Sequence, residues 1–155
     1  MSEFEVRMVR LAPMRVASSY GFGTSPEGEA WRKILAWAES QGLPHDVQPG
    51  RFFGFDNPVP SPGSPNYGYE QWMVLETDAE VEASEDVTIK TFEGGLYAVT
   101  RCNLPKIGEA WRQLGAWREA SGYACGHQQC VEEALSPIGS PFEDIVMDIY
   151  LSVAG

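Results

Sequence analysis

From Val6 to Ala17 apolar and polar residues alternate, pause at Ala12-Pro13 and resume through Val16-Ala17. A period of two sends successive side chains to opposite faces of a strand, and a proline within the run marks a bend. The design returns at Val87-Thr88-Ile89-Lys90-Thr91-Phe92, breaks at Glu93-Gly94-Gly95 and resumes as Leu96-Tyr97-Ala98-Val99. Each stretch predicts one long, kinked strand. A helical period follows each of them. Ala30, Trp31, Ile34, Leu35, Trp37 and Ala38 gather in a stripe about 160° wide, with Glu29, Arg32, Lys33 and Glu39 on the other side. Gly42 stands just past the last periodic residue, where a C-terminal cap belongs.

The stretch Gly28–Leu43 recurs as Gly108–Tyr123, eighty positions on, with nine of its sixteen residues identical. Such a self-match says that one unit occurs twice. Downstream, Arg51–Phe55 and Tyr69–Leu75 in the first copy correspond to Cys130–Leu135 and Met147–Val153 in the second. Their loops correspond too, Ser61-Pro62-Gly63-Ser64-Pro65 against Ser136-Pro137-Ile138-Gly139-Ser140-Pro141. The order strand, helix, strand, strand, repeated, predicts an α+β fold. Two βαββ (SHS2-like) units would form a pseudo-twofold antiparallel sheet with two helices on one face. Residues 1–155 read as one domain, with unit one at about 1–76, an acidic linker at about 77–86 and unit two at about 87–155.

The two helices differ where it matters. Trp31 and Trp37 lie about 120° apart, at the borders of the stripe, so one of them should line an edge or groove. In the second copy Leu35 becomes Gly115 and Ala38 becomes Arg118. Losing a leucine beside Trp111 opens room at that border, although a glycine inside a helix costs about 1 kcal/mol relative to alanine.

A chain of 155 residues, 43% of them hydrophobic, buries roughly 70% of its unfolded surface. Its formal net charge of −11 repels phosphate backbones and anionic lipid, which argues against direct nucleic-acid or membrane binding. The start, Met1-Ser2-Glu3-Phe4-Glu5, is acidic where a secretory leader is basic. No apolar run approaches the roughly 18 residues of a membrane span. The expectation is a cytoplasmic protein whose three cysteines stay reduced. Cys125-Gly126-His127-Gln128-Gln129-Cys130 holds three residues of zinc-ligand type. Structural zinc takes four, in paired motifs, so neither metal nor cofactor is expected.

The Gly95-Leu96-Tyr97-Ala98-Val99 strand and the Glu109-Ala110-Trp111 to Trp117 helix, ending at Ser121-Gly122-Tyr123, resemble the GyrI-like small-molecule-binding domain. So do the Cys130-Val131-Glu132 strand, the Asp56-Asn57-Pro58 turn and the closing Asp148-Ile149-Tyr150-Leu151-Ser152-Val153 strand. This module is the effector-binding domain of AraC-type and MerR-type multidrug regulators. The resemblance covers nearly the whole chain. It implies a groove between the two units that takes apolar, often cationic, drug-like compounds, with a glutamate at its base that Glu132 matches. With no helix-turn-helix ahead of it, the chain is expected to be a free-standing member.

Residue chemistry leaves one question open. Glu132 and Glu133 face opposite ways in a strand. Pattern favours Val131, Glu133 and Leu135 as the core face, whereas the resemblance favours Glu132 inward. Trp31 and Trp111, as border residues of the helices, and Trp72 and Tyr150, on corresponding strands, are candidate groove residues. Tyr67 joins them through the resemblance. Three functions follow. The first is a sensor or sequestering binder of hydrophobic, cationic small molecules. The second, which the resemblance supplies, is a hydrolase of cyclopropane-type electrophiles with Glu132 positioning or deprotonating water. The third is a protein-interaction module like the gyrase-inhibiting member that names the family.

Overall fold

The kinks decide how the strands pair. In the computed structural model, which describes residues 4–154, β1 (Arg7–Leu11) and β2 (Met14–Gly23) are separate strands on either side of Pro13. α1 (Pro26–Ser40), β3 (Phe52–Asp56), β4 (Tyr67–Leu75) and β5 (Thr88–Phe92) follow. The second half comprises β6 (Gly95–Asn103), α2 (Ile107–Ser121), β7 (Ala124–Cys125), β8 (Val131–Ala134) and β9 (Val146–Ala154). The expected α+β class holds, and the strand pairs described here are antiparallel. The acidic start Met1-Ser2-Glu3, read above as no leader, lies outside the described residues.

Two compact units divide the chain. The first unit contains residues 14–46 and 50–92. Its strands run in the order β3-β4-β2-β5, with Ser19 opposite Gln71 and Val16 opposite Lys90. The second contains residues 4–13, 47–49 and 93–154. Its strands run β1-β6-β9-β8, and β7 pairs with β9 just beyond β8. The first half of each kinked strand therefore hydrogen-bonds with the later copy's strand or the earlier one's, β1 with β6 and β5 with β2. The sequence repeat and the compact unit are offset by one strand. Gly94, at φ +78°, makes one of the turns, and a Cβ there would collide with the backbone of Leu11 and Ala12.

In the first unit α1 covers the sheet face that carries Ala17, Ser19 and Gly21. Ser19 Oγ donates to Ala30 O at 2.6 Å, and a Cβ on Gly21 would run into the carbonyl oxygen of Pro26. Overpacking at so close a contact costs about 1–3 kcal/mol. Gly21→Ala should therefore lower the urea midpoint without changing the slope. An unchanged midpoint would mean that the helix is free to lift. Trp37 is a buried residue of this helix, and its Nε1 donates to Glu82 O at 2.8 Å, which anchors the irregular acidic stretch.

The second unit packs Ala110 and Leu114 of α2 on Ala98, Ile149 and Val153. Trp111, Trp117 and Leu151 close the margin of that core, and Trp117 stacks on Tyr123 at 5.9 Å. α2 ends at Gly122, whose φ of 86° supplies the left-handed cap expected there. Among the described residues, no helix is long and apolar enough to cross a membrane.

Candidate functional site

The strand β8 separates its two glutamates. Glu132 is opposite Ile149, a core residue under α2, so it faces the helix. There Trp111 Nε1 donates to Glu132 Oε2 at 3.2 Å. Glu133 is opposite Asp148 on the other face and only 3% exposed, and Tyr150 Oη donates to its Oε1 at 2.6 Å. Both carboxylates are thus held by aromatic donors. Only Glu132 remains half-exposed.

The helix supplies the aromatic neighbour of Glu132. Trp111 lies at the border of the apolar stripe and is half-buried, as that position requires. One turn on, Gly115 stands where α1 has Leu35, and a Cβ added there would meet nothing within 4 Å. One turn further, Arg118 spends a guanidinium N–H on Tyr123 O at 2.9 Å, completing the helix end. Burial, and then the negative charges of Glu132 and Asp148, push the Cys102 thiol up to about 11. At neutral pH it is an uncharged neighbour of the carboxylate. The result is a half-exposed carboxylate with an indole beside it, a pairing suited to an organic cation that meets charge and aromatic surface together.

The other sequence-chosen residues fall in two groups. Trp31 is half-buried on the helix side of the first unit, its ring tilted on Phe52 with centroids 4.9 Å apart. Tyr67, at the start of β4, donates its hydroxyl to Glu27 Oε2 at 2.7 Å. Trp72 and Tyr150 are buried on the faces turned away from their helices. Trp72 Nε1 donates to Glu70 Oε2 at 2.6 Å, and its ring lies 5.1 Å from Phe55 and 5.0 Å from Phe92. Tyr150 meets Tyr97 edge-on at 5.7 Å. Trp111 and Glu132 are therefore in contact, Tyr150 is across the sheet from them, and Trp72 is across its own sheet from Trp31 and Tyr67.

Those away-facing surfaces carry ionic groups that the pattern did not single out. Glu70 Oε2 also accepts from Ser18 Oγ at 2.8 Å and from the Lys90 ammonium, which lies 5.9 Å from the Trp72 ring centroid. Burial pushes the Glu70 carboxyl up, but the bonds from Lys90, Trp72 and Ser18 outweigh it and hold the pKa below its ordinary value. Asp148 is 2% exposed and accepts from Arg7 at 2.6 Å and from Arg101 at 2.9 and 3.2 Å. Its pKa is likewise lowered, because the two arginines overcome burial. The available signal was spacing. Glu70 and Trp72 are two apart in one strand and must share a face. Among the described residues, no group of three or more His, Cys, Asp and Glu is placed to hold a metal ion.

Residues 4–154 match the GyrI-like small molecule binding domain. No curated protein matches the sequence. Among solved structures, a hydrolase from Listeria innocua is 12% identical, with 97% of this chain and 92% of that one covered and a TM-score of 0.71. The C-terminal domain of EcmrR is also 12% identical, with 97% and 98% covered and a TM-score of 0.70. SAV2435 bound to tetraphenylphosphonium is 11% identical, with 99% and 95% covered and a TM-score of 0.61.

Proposed function

Because the chain belongs to the GyrI-like small-molecule-binding domain family, we propose that it binds hydrophobic organic cations, with Glu132 as the counter-charge and Trp111 as an aromatic wall. The observation that carries this reading is the 3.2 Å bond from Trp111 Nε1 to Glu132 Oε2. It orients a half-exposed carboxylate beside an indole ring, so that charge and aromatic surface are presented together. The vacant space at Gly115 gives the apolar part of the ligand somewhere to go. SAV2435, a protein of the same fold, was solved with a lipophilic cation of this class. Trp31 and Tyr67 are the first unit's own candidates for contact with an apolar ligand. Trp72 and Tyr150 serve this reading by fixing the buried carboxylates of their sheets. Retention of ligand without chemistry suits a sensor or sequestering role.

Titration with tetraphenylphosphonium should quench tryptophan fluorescence saturably in the micromolar range, about −8 kcal/mol. Quenching no stronger than that by an uncharged tetraaryl analogue would overturn the cation reading.

Gly115 gives a second check. Gly115→Ala should raise stability by about 1 kcal/mol, since it improves helix propensity and meets no neighbour. At this chain length that is a gain of about 2–4 °C in Tm. Gly115→Leu, which restores the residue of the first copy, should fill the open space at this position and weaken the cation by about tenfold, measured by the same titration. Equal affinity in the leucine variant would place the ligand elsewhere.

A further inference from the structure

Cys125 and Cys130 lie along the same edge of β9. Cys125 is opposite Val153, Gly126 N donates to Ser152 O at 3.0 Å, and Val131 is opposite Tyr150. β7 and β8 are thus two pieces of one strand, with the residues around His127 looped out as a bulge. Carrying the β8 register back one residue sets Cys130 against Leu151, two residues along β9 from Val153. That is about 6.8 Å at the usual strand rise, at the upper edge of the Cα separations that disulfides span. Directly opposed residues share a face, and Leu151 and Val153 both pack into the core beneath α2. The two thiols are close enough for the charge of Cys125 to act on Cys130. Ser152 N–H holds Cys130 Sγ at this edge at 3.3 Å. Cys125 is exposed and Cys130 half-buried.

We propose that Cys125 and Cys130 form a modification site at which a hydroperoxide closes an intrachain disulfide, pinning the bulge and the strand β8 that carries Glu132. The Cys125 thiolate attacks one peroxide oxygen, the O–O bond breaks, and an alcohol or water leaves with a proton. Cys125 is then a sulfenic acid. The Cys130 sulfur attacks the Cys125 sulfur, the S–O bond breaks, and water leaves with the Cys130 proton. Two thiols lose two electrons and one peroxide gains them. Burial raises the Cys130 pKa, which keeps that thiol out of the first step, and it gives up its proton as it attacks the sulfenic sulfur. The third cysteine, Cys102, faces α2 from β6 and takes no part.

The test treats the whole chain with hydrogen peroxide, alkylates the remaining thiols and maps peptides without reductant. The expected result is a peptide linking Cys125 to Cys130, with Cys102 alkylated throughout and no cross-link in Cys125→Ser. Amide exchange at Val131 to Ala134 should slow by about tenfold or more on oxidation, and not in the serine variant. Over-oxidation of Cys125 with Cys130 still alkylated, or bonds only between chains, would overturn the site. A bond that forms without slowing exchange would overturn the pinning of β8.

Discussion

Glu132→Gln is expected to weaken tetraphenylphosphonium by about tenfold or more, about 1.4 kcal/mol, while a neutral aromatic analogue binds as before. The amide keeps the shape of the carboxylate and still accepts from Trp111 Nε1, so only charge is removed. Glu133→Gln controls for charge on the same strand. Glu133 is buried on the opposite face with Tyr150, and its loss should alter stability more than affinity. If cation and neutral ligand weaken equally in Glu132→Gln, the carboxylate is shaping the site rather than supplying charge. The hydrolase reading makes a different demand on the same pair of proteins. A general base contributes about 10²-fold or more, so Glu132→Gln would abolish ring-opened product from a cyclopropane electrophile while binding survived. A binder returns its ligand unchanged in both proteins.

The helices and strands were legible because their periodicities are strong and occur twice. Trp31 and Trp111 were visible as border residues, and both are half-buried. The face of Glu132 was not legible. Alternation over Val131, Glu133 and Leu135 marks a core face correctly, since Val131 and Glu133 are both buried. It cannot say that the other face is covered by a helix as well. Strands enclosed on both sides lose the polar signal that tells one face from the other. The same limit hid Glu70 and Asp148, which read as polar interruptions in apolar strands and are instead satisfied by Lys90, Arg101 and Arg7. Arg7 and Asp148 are 141 residues apart in sequence, and no local pattern links them. The exchange of β1 and β5 was concealed for a related reason. A break at Ala12-Pro13 announces a bend, but pairing with β6 depends on partners far along the chain.

Those buried carboxylates set the acid limit of the fold. Folded Glu70 and Asp148 titrate below their ordinary values of 4.5 and 3.8. A carboxyl so lowered contributes stability while the pH is above its unfolded value, and loses it as the pH falls through the folded one. Stability attributable to this pair should therefore be flat from pH 7 to about 5 and decline below about 4.5. Asp148→Asn keeps the size of the group but removes the charge that both arginines meet. Hydrogen bonds to a buried charged group are worth about 2 kcal/mol. That figure is an upper guide here, because the Arg7 and Arg101 side chains are 49% and 61% exposed and water can replace part of the loss. Glu70→Gln should behave alike, with Lys90 44% exposed. In urea melts each variant should be less stable than the parent at pH 7 and closer to it at pH 3, where the parent's carboxylates are titrating. A constant gap at both pH values would mean that packing, rather than charge, carries the effect. Parallel acid transitions in both variants would place the acid-sensitive groups outside these two clusters.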